Sequence, residues 1–108
     1  MKIISVNING SIIEFINCNW TGYEYIYLNG EVVSKKFSWF GTNHIFEVEE
    51  NGEWVEYVLR TRFDLNGFSA NITRDGVRII HGGKGDIHLL PSGIKSSLYH
   101  ENDLVGGF

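Results

Sequence analysis

Apolar and polar residues alternate along most of this chain, and where the alternation breaks, an Asn-Gly or Asp-Gly pair usually stands. Ile4, Val6 and Ile8 recur at period two, Asn9-Gly10 follows, and Ile12, Ile13 and Phe15 resume the apolar pattern. Period two sends successive side chains to opposite faces of a strand, and Asn-Gly supplies the positive φ angles of a type I′ turn at little cost. A hairpin is predicted here. Tyr23 to Leu28, Asn29-Gly30 and Glu31 to Trp39 predict a second one. From Asn43 to Glu49, His44, Phe46 and Val48 alternate with Ile45, Glu47 and Glu49, and Glu50-Asn51-Gly52 turns the chain into Glu53 to Phe63. There Val55, Tyr57, Leu59 and Phe63 read as the core face, which sends Trp54, Glu56, Arg60 and Arg62 outward. Asp64-Leu65-Asn66-Gly67 leads to Phe68, Ala70 and Ile72, and Asp75-Gly76 turns into Val77 to His81.

Four hairpin-like units predict an all-β fold, a sandwich or barrel, because such strands share a core by folding one sheet over another or by closing it, and an antiparallel β-sandwich of about eight short strands is the expected form. The pattern changes after His81. Gly82-Gly83-Lys84-Gly85 and Pro91-Ser92-Gly93 interrupt it, and only Ile87 to Leu90 could add a short strand. The expected organisation is therefore a sandwich over residues 1–81 and an irregular, Gly-containing C-terminal tail over 82–108 that packs on the domain or extends it. An internal echo accompanies this order. Thr21-Gly22 leads to Asn29-Gly30 as Asn66-Gly67 leads to Asp75-Gly76, about 45 residues on, a weak sign of duplication.

Composition narrows the classes. The chain has 108 residues, the usual size of one domain, and an aromatic share of 14% with 13 Gly and one Pro, which favours strands and tight turns. The net charge of −4, with nine scattered Lys and Arg, argues against non-specific nucleic-acid binding and suits a basic partner. No run is apolar for the ~18 residues of a membrane helix. The single Cys18 has no partner for an internal disulfide and Met1 to Gly10 lacks signal-peptide character, so a cytoplasmic location is expected.

Catalytic and metal patterns are weak. His44, His81, His88 and His100 have no ligand spacing, Cys18 has no identifiable base, and Gly82-Gly83-Lys84-Gly85 lacks the first glycine and the Ser or Thr of a phosphate loop. No enzyme activity, cofactor or metal is expected. The more informative feature is the third hairpin, whose outward face gathers Glu47, Glu49, Glu56 and Trp54. Carboxylates around an exposed aromatic can occupy a cationic nuclease cleft as phosphate mimics. The plain alternative is a solvated face on which Arg60 and Arg62 pair with the glutamates. Tyr23, Tyr25 and Tyr27 fall on one face and, if Ile26 and Leu28 point inward, form a second candidate contact surface. Glu101 and Asp103 add acidic character near the end of the tail.

The order Ile13-Glu14-Phe15, Thr21-Gly22, Tyr27-Leu28-Asn29-Gly30-Glu31, Lys36, Phe37-Ser38-Trp39-Phe40, His44-Ile45-Phe46-Glu47-Val48, Tyr57-Val58-Leu59, Gly67-Phe68 and Ile72-Thr73-Arg74-Asp75-Gly76 resembles the β-sandwich module of the Fas apoptotic inhibitory molecule family. The likeness covers about two thirds of the chain. It implies an eight-stranded antiparallel sandwich used for protein contacts, with no catalytic motif to carry over. A solitary module with this tail departs from the animal proteins, so an apoptotic role is not implied. A small module of this kind is also similar to bacterial immunity proteins of contact-dependent growth inhibition. That likeness implies a cytoplasmic inhibitor that occludes the basic active-site cleft of a cognate toxin, plausibly a ribonuclease, without touching nucleic acid or membrane. The competing expectation is a non-enzymatic assembly module whose exposed strand edge or tyrosine face mediates self-association.

Overall fold

A computed structural model describes residues 2–18, 20–64, 67–83, 86–89 and 96–101. Every regular element is a strand and every pairing is antiparallel. In chain order they are β1 (Lys2–Ile8), β2 (Ser11–Asn17), β3 (Tyr23–Leu28), β4 (Glu31–Phe37), β5 (Asn43–Glu50), β6 (Glu53–Asp64), β7 (Gly67–Arg74), β8 (Val77–Gly83), β9 (Asp86–Leu89) and β10 (Ser96–Glu101). The all-β antiparallel reading holds, with two more strands than hairpin counting gives. Both lie in the tail segment: β10 pairs with β1 and β9 pairs with β8. The interrupting residues Lys84-Gly85 and Pro91-Ser92-Gly93, like Asn66, lie outside the described residues.

The chain divides into two compact units. The first holds residues 1–39 and 95–108, with strand order β10-β1-β2-β3-β4, and the second holds 40–94, with order β5-β6-β7-β8-β9. All four predicted turns adopt the left-handed conformation that their sequences favour, with φ of 51° at Asn9, 50° at Asn29, 52° at Asn51 and 47° at Asp75, each followed by a positive-φ glycine. In the first unit Ile4, Val6, Ile8, Ile13, Phe15 and Ile26 are withdrawn from solvent. In the second the buried set includes Phe46, Val48, Val55, Tyr57, Leu59, Ala70, Ile72, Ile79 and Ile80. The alternation in β5 is complete: His44, Phe46, Val48 and Glu50 are buried, and the residues between them are exposed.

The two units are built alike to the level of individual hydrogen bonds. Asn29 donates its backbone N–H to Ile12 O, and its side-chain oxygen accepts the Ile12 N–H at 2.8 Å. Asp75 does the same with Glu56, whose N–H it accepts at 2.9 Å. The ladder Ile13↔Leu28 to Asn17↔Glu24 in β2–β3 matches Tyr57↔Arg74 to Thr61↔Ala70 in β6–β7. Each unit then places a β-bulge at the same rung. Val33 is the extra residue between Ile26↔Ser34 and Tyr27↔Val32, as Ile79 is between Ile72↔Ile80 and Thr73↔Arg78. The internal echo in the sequence is thus a repeated architecture of a five-rung ladder, a two-residue turn and a bulge, and each unit serves as a reference for what the other's fold requires. Replacing Asn29 or Asp75 by Ala removes one hydrogen bond and strains a positive φ, so each variant should lose about 1–2 kcal/mol of stability in urea unfolding.

Candidate functional site

Matched from the Asn29 and Asp75 turns, β1–β2 and β5–β6 differ in length. In the first unit Val6↔Ile13 is followed by Asn7↔Ile12 and Ile8↔Ser11 before the turn. In the second, Phe46↔Tyr57 is followed by Glu47↔Glu56, Val48↔Val55, Glu49↔Trp54 and Glu50↔Glu53. The second hairpin is longer by its last two rungs, and those rungs consist of Glu49, Trp54, Glu50 and Glu53. This extension carries two of the four residues that the sequence placed on the acidic face.

The structure sets all four of those residues on one face. Glu47, Glu49, Trp54 and Glu56 are exposed, Trp54 by 66%, with Ile45 beside them at 60%. Glu47 and Glu56 stand directly opposite, a like-charge rung that weakens a sheet. The corresponding rung of the first unit is Asn7↔Ile12. Arg60 does not neutralise this cluster. It faces Asn43 across the ladder and donates Nε–H to Asn43 Oδ1 at 3.0 Å, with Ile45↔Val58 between it and the glutamates. The expected cross-strand Arg60–glutamate pairing is therefore replaced by an arginine–asparagine pair, because register puts asparagine opposite that arginine.

The extension is fixed from beneath. Glu50, whose side chain is 4% exposed, receives Arg74 Nη2 at 2.5 Å and Nε at 3.1 Å on the same oxygen, and Tyr57 donates its hydroxyl to the other. Two donors of the guanidinium converge on one carboxylate from the neighbouring β7 turn region, tying the tip of the hairpin to the body of the sheet. Tyr57 also stacks on Phe46, with centroids 5.7 Å apart. Sequence reading assigned Glu50 to the turn with Asn51-Gly52 and missed this clamp, although the period-two series His44, Phe46, Val48 runs on to it. Burial, then the hydrogen bond to Glu50, raises the Tyr57 phenol well above its ordinary value. A raised folded-state value means this contribution is complete below the unfolded value near ~10 and is lost as pH climbs through the folded one. Urea midpoints should therefore fall above pH 10, and Tyr57→Phe should flatten that part of the profile.

The three tyrosines share one side of β3, but of the two residues expected to point inward Leu28 is only half-buried. Ile26 is fully buried, while Tyr23, Tyr25 and Tyr27 are half-buried on the other side of β3. They form the start of a continuous row of five rings. Tyr27, Tyr25 and Tyr23 follow at 6.4 Å spacings, Phe37 meets Tyr23 edge-on at 5.4 Å, and Trp39 meets Phe37 edge-on at 5.5 Å. Lys35 lies over Tyr23, 4.7 Å from the ring centroid. Phe37 and Trp39 are each 54% exposed. In the second unit the positions equivalent to the tyrosines hold Ser69, Asn71 and Thr73, so this backbone does not require aromatics there. Of the two tail residues, Glu101 pairs through its backbone with Ile3 in β10, and Asp103 lies outside the described residues.

His44 is fully buried on the inward side of β5, as a structural histidine would be. Hydrogen bonding from Thr21 is the leading cause of a lowered Cys18 thiol value, at a tight turn that Gly22 N–H closes by donating to Cys18 O. Among the described residues no group of three His, Cys, Asp or Glu side chains is arranged to hold a metal ion. Among the described residues no helix is long and apolar enough to cross a membrane.

Fold and surface together define an antiparallel all-β protein made of two like units, each carrying an outer face that the other lacks. Compared with known proteins, the chain matches no family model, no curated protein and no solved structure.

Proposed function

We propose that this protein works by binding, as an immunity-type inhibitor whose third hairpin enters the basic active-site cleft of a cognate toxin, such as a ribonuclease domain of a contact-dependent growth inhibition system. One observation carries the reading: the β5–β6 hairpin is extended relative to its counterpart, and the extension projects Trp54 and Glu49 next to the opposed Glu47 and Glu56. A like-charge rung and an exposed tryptophan both work against an isolated sheet, yet the buried Glu50–Arg74 pair holds this tip in place. Such an arrangement serves a partner whose cations accept the carboxylates and whose surface buries the indole. Blocking a cleft needs no chemistry from the inhibitor, and the cytoplasm is where such a toxin would be met.

Co-expression with the product of the neighbouring open reading frame, which this reading requires to be a toxin, tests this. Growth should be protected by the wild type and lost with Glu47→Lys combined with Trp54→Ala. Protection that survives both substitutions removes the hairpin from the interface.

A second reading is favoured by the five-ring row of the first unit, because tyrosine and tryptophan are the side chains that most often anchor interfaces. On this reading the protein is an assembly module that associates with itself through that face. Sedimentation velocity separates the two. A stable homo-oligomer that Tyr25→Ser with Phe37→Ser dissolves favours assembly, and a monomer that binds toxin favours inhibition.

A further inference from the structure

The outer face of the second sheet changes character away from the hairpin tip. Val58 stands opposite Thr73, Thr73 opposite Arg78, and Arg60 opposite Asn71. These five residues line a cup of about 130 Å³. Its small side chains, Thr73 and Asn71, lie in the middle strand, and its two arginines rise from the strands on either side. We propose that this cup is a binding site for a phosphate group carried by a small molecule or free as the inorganic anion.

Three observations support that chemistry. First, the cations are not consumed by the protein itself. Arg60 spends Nε–H on Asn43, which leaves its two terminal nitrogens to act as donors, and among the described residues no carboxylate makes an ion pair with Arg60 or Arg78. In a chain with 13 Asp and Glu against nine Lys and Arg, two arginines lining one cup without an acidic partner among the described residues favour an anion there. Second, the donor set exceeds what a carboxylate can use. Two guanidinium forks from opposite sides, with a threonine hydroxyl between them, match the several oxygens of a tetrahedral oxyanion. Third, the fold does not call for these residues. The equivalent positions of the first unit are Glu14, Ile16, Tyr25, Tyr27 and Val32, which form no cationic cup on the same ladder.

Arg60 is also shared with an adjoining open groove of about 390 Å³, lined by Gly41, Thr42, Asn43, Arg60, Thr61 and Arg62. Gly41 lies flat against the neighbouring strand there: a Cβ at this position would stand 2.2 Å from Thr61 O. An organic group attached to a phosphate in the cup would run along this groove past Arg60, with Arg62 as a further cation. The site is distinct from the acidic tip and does not depend on what the hairpin binds.

Proton–nitrogen NMR titration of the full chain, at constant ionic strength held with sodium chloride, tests the assignment. Inorganic phosphate and phenyl phosphate are the two probes. The expected result is saturable shifts of the Asn71, Thr73 and Arg78 amides, weakened about tenfold or more by Arg78→Ala and by Arg60→Ala, since each removes charged donors. Tighter binding of phenyl phosphate identifies an esterified ligand that uses the groove, and equal or tighter binding of inorganic phosphate identifies the free anion. Both variants lie on exposed positions and should keep the wild-type spectrum elsewhere. Shifts that rise linearly without saturating, that persist in Arg78→Ala, or that chloride alone reproduces would overturn the proposal. So would saturation of the same amides by a short RNA but by neither small phosphate.

Discussion

Arg74→Ala should destabilise the protein by about 3 kcal/mol, because it removes the Arg74 cation that two guanidinium nitrogens hold against the buried Glu50 carboxylate. Arg74 is itself a quarter exposed, which places the effect at the lower end of what breaking a buried pair costs. Part of the response should appear as a loosened hairpin tip, since Glu50 is the residue through which β5 is tied to β7. Replacing both partners with apolar residues, Glu50→Leu with Arg74→Leu, should recover part of the loss, because no buried charge then remains while the buried Tyr57 hydroxyl loses its Glu50 acceptor. The first unit already has Leu28 at the position equivalent to Arg74, so leucine fits that backbone. The urea midpoints of the three proteins decide the matter. If the double variant is no more stable than Arg74→Ala, the pair is required for packing and not only for charge balance.

Gly41→Ala should be more damaging still, by at least about 3 kcal/mol. Its φ of 111° suits glycine and almost nothing else, and the added methyl would overlap backbone atoms of Thr61 and Arg62, which cannot rotate away as a side chain can. The segment around it is tied to β6 by two backbone bonds, Thr61 N–H to Thr42 O and Phe63 N–H to Phe40 O, so relief by moving the loop would break these as well. A Gly41→Ala protein with a urea midpoint near that of the wild type would show that this approach is not fixed.

Why some of this was legible in the sequence and some was not follows from the range of the interactions concerned. Turns are local. Asn9-Gly10, Asn29-Gly30, Asn51-Gly52 and Asp75-Gly76 need only their own φ angles, and all four stand where they were read. Alternation is nearly as local, and it set the outward and inward sides of β5 and β6 correctly, Trp54 and Glu56 against Val55 and Tyr57. Bulges break that logic. After Val33 the parity of β4 shifts, so Lys35, not Lys36, shares the tyrosine face, and nothing between Glu31 and Phe37 signals the change. The pairing of β10 with β1 joins the two ends of the chain, and short polar strands such as Ser96–Glu101 carry no pattern that names a partner so distant in sequence. The likeness of the two units was faint for a related reason. The shared features are turns and bulges, which few side chains specify, while the half-buried positions differ, Tyr23, Tyr25 and Tyr27 in one unit and Ser69, Asn71 and Thr73 in the other. That difference, visible only once the registers are aligned, sharpens the candidate surfaces more than any motif does.

The central claim is that the extended β5–β6 hairpin is a binding element for a protein with a basic cleft. Calorimetric titration of the proposed toxin partner, sought in the neighbouring open reading frame, against wild-type protein, Trp54→Ala and Glu47→Lys tests it most directly. The account predicts that each substitution raises Kd by at least about 30-fold, the scale of an interface anchor. Wild-type affinity in both variants would contradict it.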